Sequence, residues 1–189
     1  MSTQQNPEVK QEEKSQAQQD YEKGLEFLQN KDAAQAANAF HNALLGFQQE
    51  ENETGVANAS DRLADICAER GDVKNALDHY DRAYAVCRKH QDRLSLFSIE
   101  KKKARLMREA GEYGKAVEMY LDILDEYGAL RNPQGSVDTL ETLAEIYLAM
   151  GDRGKAADSY RMAATIHKNF RHSRQAEEFL QKAAEVEAG

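Results

Sequence analysis

Tryptophan is absent from this 189-residue chain, and proline occurs only as Pro7 and Pro133. Almost nothing therefore interrupts a helical reading between those two positions. Cysteine is also scarce. Cys67 and Cys87 do not make a disulfide framework in a chain of this length, so reduced thiols and a cytoplasmic location are expected. No run of about 18 apolar residues exists, so no membrane span is expected. Met1 to Asp20 is polar, rich in Gln, Glu and Lys, and lacks the apolar stretch of a secretory signal. Clustered positive charge is missing too. The net charge is −8 and Lys101-Lys102-Lys103 is the only basic run, which argues against nucleic acid or an anionic membrane as a partner. There is no Gly-rich phosphate loop, no Gly-x-Ser-x-Gly elbow and no kinase-like set. The five histidines form no i, i+4 pair, and neither His-Glu-x-x-His nor Cys-x-x-Cys occurs. No enzyme, metal or cofactor is expected.

What the chain has is a period. Gly71-Asp72, Gly111-Glu112 and Gly151-Asp152 recur at a spacing of 40, and one step back lies Lys31-Asp32. Each turn is followed by a small residue, Ala36, Ala76, Ala116 or Ala156. Four positions on comes an aromatic, Phe40, Tyr80, Tyr120 or Tyr160. Upstream, Gly24, Ala64, Ala104 and Ala144 form a column of small residues. Phe27, Cys67, Met107 and Tyr147 follow three positions later. A glycine can adopt positive φ and end a helix. The acid after it can cap the next helix. Small residues let two helices approach, and a step of four keeps Ala and Tyr on one face. No segment alternates with period two, so the fold is expected to be all-α.

These residues resemble the tetratricopeptide repeat family, over roughly residues 17 to 172. The resemblance implies a right-handed superhelix of about four helical hairpins plus a C-terminal capping helix. The boundaries expected are a disordered tail over 1–15, repeats over about 16–52, 53–92, 93–132 and 133–172, and a capping helix and tail over 173–189. The family's usual period is about 34 residues. The longer period here predicts about three additional residues on each helix, or a longer loop. The capping helix should bury one stripe made of Ala176, Phe179, Leu180, Ala183 and Ala184.

The same resemblance implies a concave groove, lined by the first helix of each repeat, that holds a protein or peptide. Its columns here are Tyr21, Asp61, Lys101 and Glu141, then Leu25, Asp65, Arg105 and Glu145. Lys102 and Arg108 extend the positive patch. These rows serve either as an ion ladder between neighbouring helices about 8–10 Å apart or as a surface for a partner's charges. The two uses are compatible. The carboxylate clamp of chaperone-binding relatives is not expected, because its positions hold Tyr21, Leu25 and Arg62. An adaptor, assembly chaperone or regulatory scaffold is the leading expectation. Self-assembly into homo-oligomers through the terminal repeats is the alternative.

Overall fold

The computed structural model describes residues 14–189. The tail expected over 1–15 lies, except for Lys14 and Ser15, outside the described residues. Every element among them is an α-helix: α1 (Gln16–Gln29), α2 (Ala33–Gln49), α3 (Glu53–Glu69), α4 (Val73–Lys89), α5 (Arg93–Glu109), α6 (Tyr113–Ala129), α7 (Pro133–Ala149), α8 (Arg153–Asn169) and α9 (Ser173–Ala188). The all-α expectation holds. The residues beyond the common repeat length lengthen the helices: α2 to α8 have 17 residues each, joined by three-residue turns.

Gly71, Gly111 and Gly151 stand at bends between helices, with φ of +73°, +77° and +80°. The turns between them have the same form, which the sequence hides. Lys31, Glu51, Gln91, Arg131 and Arg171 also have positive φ, so the backbone repeats every 20 residues although the side chains repeat every 40. In each turn the N–H after the left-handed residue reaches back to the carbonyl five residues earlier. Asp32 to Phe27 at 2.8 Å and Asn132 to Tyr127 at 2.9 Å are examples. The left-handed residue's own N–H closes a tighter loop, as in Gly71 to Ala68 at 2.9 Å. This double bond pattern satisfies carbonyls left open at a helix end.

The residue that finishes each turn then caps the next helix. Asp32, Asn52, Asp92, Asn132 and Asp152 each accept an N–H from three residues on. Glu112 departs from the expectation. Its side chain makes no cap bond and instead pairs with Lys115 at 3.1 Å, as a longer acid can.

The chain divides into two compact units, the first reaching Val86 and the second beginning at Cys87. In the first, Phe40, Ala43, Leu44, Phe47, Leu63 and Ile66 form the core. Gly24 is required there, because a Cβ on it would lie 2.6 Å from the Phe40 ring. Gly55 and Gly135 serve a matching purpose in each unit, leaving room for the Phe47 and Tyr127 rings of the preceding helix. In the second unit, Ala144, Ala156, Ala157, Tyr160 and Ala183 gather with Tyr147, Phe179 and Val186.

Helix α9 packs on α8 through Ala176, Phe179, Ala183 and Val186. Leu180 and Ala184, expected in that stripe, are exposed, because their turn of the helix rotates them outward. Of the two cysteines, Cys67 is half-buried and Cys87 is buried. Burial, together with Asp72, pushes the Cys67 thiol up, with Arg70 pulling the other way. Among the described residues no helix is long and apolar enough to cross a membrane.

Candidate functional site

The ten residues singled out from sequence fall into two sets with different surroundings. In the first unit, Tyr21 and Leu25 are half-buried and packed against the core cluster. The Tyr21 ring lies 5.3 Å from Phe40 and 6.3 Å from Phe47. Asp65 accepts the Tyr80 hydroxyl at 2.8 Å and sits 3.8 Å from Arg62. Burial would lower the Arg62 pKa. The Tyr21 hydroxyl and the carboxylates of Asp61 and Asp65 outweigh that and raise it. These contacts hold hairpins together, and Asp61 is half-buried beside them.

In the second unit, Lys101, Lys102 and Arg105 lie on one wall of a cleft of about 400 Å³ between α5, α6 and α7. Tyr120, Ile123 and Tyr127 of α6 form its floor, and Asp138, Thr139 and Thr142 of α7 line the far wall. The helical step of four brings Lys101 and Arg105 to one face of α5. The Lys101 ammonium stands 5.0 Å from the Phe97 ring centre and 5.7 Å from that of Tyr127. It also donates to the Tyr127 hydroxyl at 3.4 Å. The two rings meet edge to face at 5.0 Å, a geometry that suits their quadrupoles and the cation above them. Arg105 lies 3.6 Å from Glu109, one turn along its own helix. Burial raises the Tyr120 hydroxyl pKa, and Arg108 and Arg105 partly offset it. On the far wall, Thr139 donates to the Gly135 carbonyl at 2.7 Å and Thr142 to that of Asp138 at 3.0 Å. Their protons are thus committed to their own helix, and what they offer the cleft is acceptor capacity.

The remaining predicted residues pair differently from the simple ladder. Arg108 meets Glu145 at 3.4 Å, a rung between α5 and α7. Glu141 binds Lys182 of α9, so the Lys101 position is filled by aromatic rings and not by the expected acid. Sequence reasoning missed Tyr120, Tyr127, Thr139 and Thr142. The available signal was Tyr127 with Gly135 eight residues on, a ring and the gap that admits it. The cleft offers cations, tyrosine hydroxyls and hydroxyl oxygens around an open space. No group of three or more potential metal ligands occurs among the described residues.

A family model described as "Soluble NSF attachment protein, SNAP" matches residues 4–136, and a tetratricopeptide repeat model matches 139–174. Among curated proteins none matches. Solved structures with this fold include the apo form of RapI, at 18% identity and a TM-score of 0.72, over 92% of this chain and 64% of RapI. A Rap protein complexed with competence and sporulation factor aligns at 17% identity and 0.59, over 90% and 51%. MamA of Desulfovibrio magneticus RS-1 aligns at 13% identity and 0.59, over 93% and 97%. This chain thus spans less than two thirds of either Rap protein's length.

Proposed function

Because the chain belongs to the soluble NSF attachment protein family, with a tetratricopeptide repeat in its C-terminal part, we propose that it is a non-enzymatic protein-interaction module whose α5–α7 cleft receives a segment of a partner protein. The observation that carries this reading is the cleft itself, where three cationic side chains face hydroxyl and carboxylate groups across a tyrosine floor. Lys101, Lys102 and Arg105 receive the partner's carboxylates. Asp138 on the far wall takes a basic residue of the partner. Tyr120 and Tyr127 supply contact area with little rotamer freedom to lose. Such charge complementarity governs partner choice and association rate more than raw affinity. The similar Rap structure is complexed with a factor, which supports a fold suited to holding a partner, and an adaptor or assembly-chaperone role is the form of that work we propose. Neither cysteine is in a disulfide, as a cytoplasmic protein would have it.

The test is capture of partners by the wild-type chain and by Lys101→Glu/Arg105→Glu, followed by affinity measurement with the captured protein. The reading expects the double variant to fold normally and to bind at least about tenfold more weakly, roughly 1.4 kcal/mol. Equal binding by both chains would remove the cleft from the function.

A further inference from the structure

Position 172 breaks the capping rule that most other turns keep. Where asparagine or aspartate caps most other helices, α9 has His172, and its side chain makes no cap bond. Giving up a cap lowers the stability of the helix it would have started. The ring turns instead toward the last turn of α8, where its Nδ1 lies 3.5 Å from Nδ1 of His167. Five residues separate the two, a spacing that does not meet on a continuous helix. The left-handed residue Arg171 folds the chain so that they do, and the His172 N–H donates to the His167 carbonyl at 2.9 Å.

We propose that His167 and His172 form a two-imidazole site for a divalent transition cation of the zinc, nickel and copper class. Neutral imidazoles that carry their protons on Nε2 present two Nδ1 lone pairs to the same small space. With a metal–nitrogen distance of about 2.0–2.1 Å, a separation of 3.5 Å places the cation at an N–metal–N angle of roughly 115°, close to tetrahedral. The rings are held for this. His167 stacks on Phe179 at 5.5 Å and 19°, and His172 lies 6.3 Å from Phe170. The ring planes incline by 46°, so small rotations let both nitrogens face one ion. Imidazole favours these cations over calcium or magnesium, which want oxygen ligands. Both rings are accessible, and water completes the coordination. Bound metal fastens the first turn of α9 to the last turn of α8, securing the closing helix of the second unit.

The natural variants for a test are already in the sequence. His172→Asn installs the cap residue of Asn52 and Asn132, and His167→Phe installs the ring of Phe27 and Phe47, so both variants keep the turn. Calorimetric titration of the full chain with zinc chloride is expected to show one site in the wild type. Each variant should weaken that site at least about tenfold. Zinc should raise the thermal midpoint of the wild type alone, because it binds the folded state. Imidazole NMR should report both rings ligated through Nδ1. Equal affinity in all three chains, no binding below millimolar zinc in the wild type, or ligation through Nε2 would each overturn the site.

Discussion

Tyr21 and Lys101 occupy the same column, two periods of 40 apart, yet one closes a space and the other borders one. The residues around Tyr21 correspond position by position to those of the α5–α7 cleft. Leu25 matches Arg105, Phe40 matches Tyr120, Phe47 matches Tyr127 and Arg62 matches Thr142. In the first unit these are larger or more apolar, and Tyr21, Leu25 and Phe40 join one cluster. In the second unit the same backbone plan leaves a cleft of about 400 Å³. One scaffold therefore packs this column into a core in the first unit and sets it beside a cleft in the second, according to the side chains it carries.

The comparison breaks most sharply at the aromatic column. Phe40 is fully buried and its counterpart Tyr120 is half-buried. Phe40→Ala should cost about 3–5 kcal/mol of stability, and Tyr120→Ala distinctly less, measured by chemical denaturation. Comparable losses at both positions would mean that the two units are filled alike. Exchanging wall residues comes next. Lys101→Tyr/Arg105→Leu gives the second unit the first unit's wall. It should reduce partner binding at least about tenfold, or roughly 1.4 kcal/mol, without loss of thermal stability.

Much of the fold was legible because turn chemistry and small-residue columns leave direct traces. Gly71, Gly111 and Gly151 mark left-handed bends, and Ala64, Ala104 and Ala144 mark close helix contacts. The other bends were hidden because Glu51, Gln91, Arg131 and Arg171 adopt positive φ without glycine, held by the two backbone bonds of each turn. The site was less legible. Lys101 and Arg105 were chosen by column and Lys102 as an extension of their positive patch, and that method could not separate them from Tyr21 and Leu25. The difference depends on which side chains fill the space behind the column, a property of three helices together.

The hidden bends give a smaller effect. A non-glycine residue in the left-handed region costs about 1 kcal/mol, so Arg131→Gly should stabilise the chain by about 0.5–1 kcal/mol. Gly71→Ala should destabilise it comparably, both read from denaturation midpoints. The caps respond to acid. Hydrogen bonds to the Asn75, Ser95 and Lys155 side chains and backbone N–H groups hold the Asp72, Asp92 and Asp152 carboxyls below their ordinary 3.8. A depressed folded-state pKa adds stability above the unfolded value and loses it as pH falls through the folded one. Stability should therefore decline below about pH 4. Replacing all three with asparagine, which caps without titrating, should flatten that decline. Smallest is the Arg108–Glu145 rung. A double-mutant cycle should return less than about 1 kcal/mol, falling with added salt.

The most direct measurement places a photo-crosslinking residue at Thr142 in one chain and at its counterpart Arg62 in another, each mixed with the captured partner. A partner segment lodged between α5, α6 and α7 gives strong crosslinks from position 142 and few or none from 62. Crosslinks of equal yield from both positions, or from 62 alone, would contradict the division of labour between the two units.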